Sequence, residues 1–256
     1  MKVFFDRGNL ILTLQDINES RHNRRFQSLQ VNNQHENVKV YSLNSDFFKQ
    51  ISENSSVSYG YEFTHNKVKS RAFGVSLKRK DESLSNFKDL VYIEIPTRYP
   101  SGGGNYSTSA GYFDYRKSLS IKSNINLGLR YTYTWLNARW NEEALIDANL
   151  NYIKSNNESF TGSVGYVYRF EKNWQISTNF SSGFRSPNID DIGKIRENKG
   201  VLSVPNQSLK PEYAYNSEIS LSKFSQDKKN IFSINLYYTH INNHILRNDY
   251  SISNDL

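Results

Sequence analysis

The sequence predicts an all-β chain of about nine antiparallel, meandering strands, and three observations carry that prediction. Side-chain character alternates with period two over most of the chain. No segment of comparable length shows an apolar stripe of helical period. The connections alternate long and short, and all five prolines (Pro96, Pro100, Pro187, Pro205 and Pro211) fall in the long ones.

The strands are expected at 3–15, 38–48, 56–77, 107–118, 123–138, 158–170, 174–185, 213–225 and 231–245. The first two alternate weakly. In the third, Val57, Tyr59, Tyr61 and Phe63 share one face, and Ser58, Gly60, Glu62 and Thr64 the other. The fourth leaves its apolar face open, because Tyr112 and Phe113 are adjacent. The fifth sets Ile125, Leu127, Leu129, Tyr131, Tyr133 and Trp135 against Asn124, Asn126, Gly128, Arg130, Thr132 and Thr134. The sixth and seventh alternate around Val164, Tyr166 and Tyr168 and around Trp174, Ile176, Phe180 and Phe184. The eighth re-enters with Tyr213 and Tyr215, and the ninth sets Phe232, Ile234, Leu236 and Tyr238 against Ser233, Asn235 and Thr239. The long connections are 16–37, 78–106, 139–157 and 186–212; the short ones are 49–55, 119–122, 171–173 and 226–230.

Composition decides what solvent these strands occupy. Only 37% of the 256 residues are hydrophobic and the mean hydropathy is −0.70. That is a thin core for a soluble domain, since ordering each residue costs about 1–2 kcal/mol. Disorder is excluded by the regular placement of 18 Tyr and 15 Phe. The charge of +7 is dispersed along the chain, which argues against a nucleic-acid face. No apolar run is long enough for a transmembrane helix. The absence of cysteine removes disulfides and thiolate metal sites. The opening "MKVFFDRGNLILTLQD" does not read as a signal peptide.

A membrane β-barrel satisfies all of this. Its inner face is wet, so half of each strand suffices to meet lipid, and closure pairs every backbone amide. Its connections are short on the periplasmic side and long outside. Trp135, Phe170, Trp174 and Phe184 lie near strand ends, where aromatic girdles sit. A soluble sandwich gives no reason for one end to carry all the long loops; a soluble carbohydrate-binding β protein would need to fold without detergent.

The stretch "FRSPNIDD" (184–191) ends a strand in a proline-bracketed polar excursion, and "VPNQSLKPEYAY" (204–215) returns it. Phe184, Arg185, Pro187 and Asn188, then Pro205, Asn206, Leu209, Lys210, Pro211 and Glu212, resemble the FRAPN…NPxLKPE signature of TonB-dependent outer-membrane receptors. The stretches 16–26, 97–104 and 162–188 are similar to the same family's barrel, with the siderophore, haem and cobalamin receptors the nearest subgroup. The resemblance implies a barrel of about 22 strands with a plugged lumen. It also implies a plug domain with a TonB box, neither of which is expected within residues 1–256. Residues 1–256 are therefore expected to form one partial receptor barrel domain, an internal segment of a larger protein. The implied setting is the outer membrane of a Gram-negative bacterium. The implied partners are membrane lipid, a small ligand such as a siderophore, and TonB acting through the plug. No enzyme activity, cofactor or nucleic acid is expected; a passive porin is the alternative class.

The signature residues are expected to set loop geometry, with ligand contact as the second role. Asp190 and Asp191 are adjacent and are expected in a solvated loop rather than as a catalytic pair. Arg21, His22, Arg24 and Arg25 form a basic group in the first long connection, suited to attracting an anionic ligand. The family's haem receptors place a histidine between the two motifs, and Ile189 to Val204 contains none. His240 and His244, four apart on the last strand, are expected on one side and about 13 Å apart. "GGG" at 102–104 lacks the strand-to-helix setting of a phosphate loop.

Overall fold

The computed structural model describes residues 4–77, 90–141, 152–192, 196–198, 201–203, 206 and 208–246. Its strands are β1 (Arg7–Asn23), β2 (Gln30–Ser52), β3 (Ser55–Leu77), β4 (Leu90–Glu94), β5 (Gly104–Ser120), β6 (Ser123–Arg139), β7 (Tyr152–Arg169), β8 (Trp174–Arg185), β9 (Arg196–Asn198), β10 (Val201–Ser203), β11 (Glu212–Phe224) and β12 (Ile231–Asn242). One helical turn, α1 (Ile189–Ile192), follows β8. The nine long strands pair antiparallel in the order β1-β2-β3-β5-β6-β7-β8-β11-β12, an uninterrupted meander. The short β4 pairs the outer part of β3, and β9 with β10 forms a separate small hairpin. The sheet is open, with β1 and β12 at its edges.

Residues opposite one another in a ladder share a face, so the register assigns every side chain. One row runs Leu10, Ser45, Tyr61, Gly111, Tyr131, Phe160. The adjacent row, on the other face, runs Asn9, Asp46, Gly60, Tyr112, Arg130, Thr161. The first face carries the exposed apolar side chains, Leu129 at 66% and Phe160 at 79% among them. Among the described residues no second layer covers the Leu129–Tyr131–Tyr133 row. The second face holds the polar network. Arg130 pairs with Glu62 and donates to Thr132 Oγ1 at 3.2 Å. Tyr112 donates to Asp46 across Gly60, where a Cβ would come within 2.6 Å of the Tyr112 hydroxyl. Only glycine leaves room for that bond. Tyr112 is thus inward and Phe113 outward, which resolves the face of β5.

Charges bound the apolar face. On β2 the outward residues between Lys39 and Lys49 are Tyr41, Leu43, Ser45 and Phe47, across residues 40–48. That stretch matches the roughly 9–11 residues a tilted strand needs to cross a bilayer. Lys117 and Lys223 mark the lower limit on β5 and β11, and Asp16, Lys67 and Glu158 the upper limit on β1, β3 and β7.

The connection expected at 16–37 is replaced by continuing ladder: β1 runs to Asn23 and β2 starts at Gln30. Above the apolar band neither face of this hairpin meets lipid, so alternation vanishes from the sequence while the backbone pairs persist. The other long connections lie between β3 and β5, β6 and β7, and β8 and β11, all at one end, called outer below; the short turns lie at the other.

The core cluster sits on the inward face at that outer end. Val68, Leu136, Ala138, Trp140 and Ile153 from the strands and their ends pack with Ile189 and Ile192 of α1.

A face-specific outcome is expected in the full-length protein folded in detergent. Leu129→Arg, near the middle of the apolar band, should cost about 2–4 kcal/mol in denaturant unfolding. Asn126→Arg, on the wet face, should cost much less. Equal losses would refute the face assignment.

Candidate functional site

The residues that carry the motif resemblance converge at the outer end of β8 and β11. Pairing parity puts Arg185 and Glu212 opposite each other on the inward face. The Arg185 guanidinium donates to Glu212 Oε2 at 2.7 Å and to both Asp191 carboxylate oxygens at 2.8 and 2.7 Å. One planar cation thus joins the strand leaving the sheet, the strand returning to it and the helical turn between them.

The turn is built from the same residues. Asn188 Oδ1 accepts from the Asp191 amide at 3.1 Å, and Asp191 Oδ2 accepts from the Asn188 amide at 3.0 Å. This reciprocal cap satisfies two backbone donors that a single turn leaves open. Asp191 is therefore a cap and ion-pair partner, not the solvated loop residue expected from sequence. Pro187 is fully buried, and Ser186 Oγ accepts from Thr134 Oγ1 at 2.9 Å and Asn157 Nδ2 at 3.0 Å. Those bonds fix the loop's first residue to β6 and β7. Ile189 then reaches the inward surface at Gly104, where an added Cβ would stand 3.1 Å from its Cδ1.

The returning half is held similarly. Asn206 Oδ1 accepts from the Ser208 amide at 2.9 Å, and Leu209 packs against the core cluster. The Pro211 carbonyl accepts from Asn243 Nδ2 at 3.2 Å. Phe184 and Tyr213 face outward with ring centroids 5.4 Å apart, a girdle pair beneath the clamp. Lys210 is exposed, and Pro205 lies outside the described residues.

Glu212 stands above the membrane-crossing part of β11. The hydrogen bond from Arg185 holds its carboxyl below the ordinary value of 4.5, helped by the Ile245 amide at 2.7 Å and opposed by desolvation. His244 Nε2 lies 3.8 Å from the same carboxylate. His240 is outward on β12, whereas His244 lies beyond the strand's end, after Asn243 turns the chain with φ +55°. The expected same-side placement of the two histidines does not hold.

The basic group of the first hairpin is not brought together. Arg21 and His22 are in β1, on opposite faces, rather than in a loop. Arg21 is bound to Glu19 through Nε at 2.7 Å, and His22 Nδ1 meets Asn33 Oδ1 at 2.7 Å. Only Arg24 and Arg25 lie in the turn. Among the described residues no group of three or more His, Asp or Glu is placed to hold a metal.

Sequence reasoning missed the apolar nucleus beneath the loop. The signal was present on β6, where inward Thr132 and Thr134 give way to Leu136, Ala138 and Trp140. A wet face that turns apolar needs a cover, and the 186–192 segment supplies it.

The family model described as "TonB dependent receptor-like, beta-barrel" matches residues 4–255. Among solved structures, the chain superposes on the Serratia marcescens hemophore receptor HasR with a TM-score of 0.60 at 12% identity, covering 93% of this chain and 41% of that one. The ferric yersiniabactin uptake receptor FyuA from Yersinia pestis gives 0.57 at 18%, covering 91% and 33%. The copper transporter OprC gives 0.66 at 10%, covering 91% and 35%. At these identities the likeness is one of fold, and the chain spans only about a third to two-fifths of each receptor's length. A search of curated protein sequences gives no match.

Arg185→Ala should speed limited proteolysis within 186–211 while leaving the barrel's unfolding midpoint nearly unchanged, because about 2 kcal/mol of charge-assisted bonding is lost locally. Arg185→Lys should restore little, since an ammonium does not reproduce the fork. The clamp also predicts an acid dependence. Glu212 titrates lower when bound than when released, so its contribution is complete above about pH 4.5 and fades as pH falls through the lowered value. Proteolysis of this loop should therefore accelerate below that pH in the wild type, and much less in Glu212→Gln.

Proposed function

The chain belongs to the TonB-dependent receptor β-barrel family, and we propose that it forms part of the wall of an outer-membrane active-transport receptor for a scarce nutrient, with a ferric siderophore as the first candidate. The observation that carries this reading is the two-faced sheet: an apolar band of membrane-crossing length outside and a polar face inside. The unpaired edges of β1 and β12 are untenable in hydrocarbon, so the reading joins them to further strands of one closed barrel in a Gram-negative outer membrane.

In this mechanism the ligand binds at the outer loops, and a plug fills the lumen against the polar face. Energy delivered through TonB rearranges the plug and opens a path. The chain contributes binding and passage; no bond is made or broken. The two feet of the loop between β8 and β11, Arg185 to Ile192 and Leu209 to Glu212, are held on the lumen side of the wall by the Arg185 ion pairs and the apolar nucleus. A ferric siderophore is favoured over haem by the lack of histidine between Ile189 and Val204. Haem or cobalamin is the alternative within the family.

Uptake of radiolabelled iron from a panel of ferric siderophores should fall to background in a strain lacking the full-length receptor and return with the intact gene. A protonophore should abolish it. Uptake that survives the protonophore would indicate a passive pore, and a selective loss of haem or cobalamin uptake would reassign the ligand.

A further inference from the structure

Alternation along β1 takes His22 away from Arg21 and sets it beside a second histidine. His22 is outward on β1, opposite Asn33 of β2, and His35 is outward further along β2, opposite Ser20. Such diagonal neighbours are within reach of long side chains. The two imidazoles lie with ring centres 5.5 Å apart and planes at 73°. Both side chains are exposed. The place is remote from hydrocarbon: His22 comes six residues after Asp16, the upper limit of the apolar band on β1, or about 20 Å along a strand. It also faces away from the lumen, so it is no part of the loop site rooted by Arg185.

Each ring is oriented by a neighbour. The Asn33 amide nitrogen points to the Val31 carbonyl at 3.5 Å, which turns its Oδ1 toward His22. That oxygen lies 2.7 Å from His22 Nδ1 and can only accept, so the neutral ring carries its hydrogen on Nδ1 and keeps a bare lone pair on Nε2. Metal-ligating histidines are held in this way, with one nitrogen donating to an oxygen and the other facing the ion. His35 stacks on Phe73 with ring centres 5.9 Å apart and planes at 19°. Among the described residues, no hydrogen bond is made by His22 Nε2 or by either ring nitrogen of His35. Arg71, which follows Lys67 and Lys69 on the outward face of β3, lies opposite His35, and Glu94 of β4 lies opposite Phe73. The formal charges beside the pair therefore offset one another.

Two imidazoles that share one ion, each nitrogen about 2.0–2.1 Å from it, have ring centres roughly 5 Å apart. The observed spacing is a small side-chain adjustment from that figure, and exposed rotamers interconvert freely. We propose that His22 and His35 bind a divalent transition-metal ion of the Cu2+, Ni2+ or Zn2+ class on the outer surface of the first hairpin, with water completing its shell and Asn33 as a positioning residue. Imidazole nitrogen selects these ions over Mg2+ and Ca2+, which take oxygen. The bound ion cross-links β1 to β2 near the tip of their hairpin. The inference goes beyond the transport reading and does not depend on which nutrient crosses the wall.

The test uses the full-length receptor in mild detergent, carrying no oligohistidine tag, at about pH 8, above the ordinary imidazole range. Ni2+ is titrated calorimetrically into wild type and variants, so that ions bound elsewhere in the receptor cancel in the comparison. Asn33→Leu should weaken binding about tenfold, and His22→Gln and His35→Gln should each weaken it more. Asn33→Asp, which keeps an acceptor for Nδ1, should retain it. Excess Mg2+ should not compete. On wild-type protein, Ni2+ should protect His22 and His35, but not His244, from diethyl pyrocarbonate, as mapped by mass spectrometry. Unchanged affinity in either histidine variant, or displacement by Mg2+, means an adventitious ion only and overturns the proposal. An Asn33→Leu variant as tight as the wild type overturns the role given to Asn33. If the histidine variants fail to fold, the protection pattern on wild-type protein decides alone, and modification of His22 and His35 that Ni2+ does not slow overturns the site.

Discussion

Everything in this fold follows from one constraint: a backbone amide in hydrocarbon must find its partner in protein. An unbroken antiparallel ladder meets that demand strand by strand, and the meander from β1 to β12 has no crossover to interrupt it. Because the ladder does the pairing, side chains are freed to serve two solvents at once. That is how a chain with 37% hydrophobic residues builds a wall without a conventional interior. The Glu62–Arg130 pair and the Asp46–Tyr112 bond lie only one residue out of phase with the exposed Tyr131–Phe160 pair, whose rings are 4.7 Å apart.

Both faces change where the hydrocarbon ends. Outside, the apolar stripe of β3 becomes a column of cations. Inside, the polar face of β6 becomes Leu136, Ala138 and Trp140, and α1 folds over it. The signature segment is the hinge of this second change. Its buried proline, reciprocal cap and three-way ion pair bring Ile189 and Ile192 onto the nucleus, and Gly104 leaves space for the contact. The described motif residues fasten the root of a loop.

The sequence made the membrane part of the fold legible because lipid enforces period two. Strands at 123–139 and 174–185 lie within a residue of their expected bounds. Where lipid stops, the signal stops. Asp16, Asn18, Ser20 and His22 look like a loop, yet they continue β1 in register with β2. For the same reason Arg21 and His22 look like one group in the sequence, although alternation along β1 sends them to opposite faces. Arg185, Asn188 and Glu212 could be singled out from motif resemblance, but their joint geometry could not. It depends on the pairing of β8 with β11, which sets residues 27 apart face to face. Asp191 looked like solvent-exposed punctuation because nothing local reveals the guanidinium waiting across the turn.

The way this loop is rooted has an evolutionary consequence. Its two feet, Arg185 to Ile192 and Leu209 to Glu212, carry the described bonds to the wall. Change that leaves these anchors intact is compatible with the fold, whereas change at the anchors unfastens the loop from the strands on either side of it. Inheritance of the scaffold thus depends on a handful of side chains at the base rather than on the loop's length.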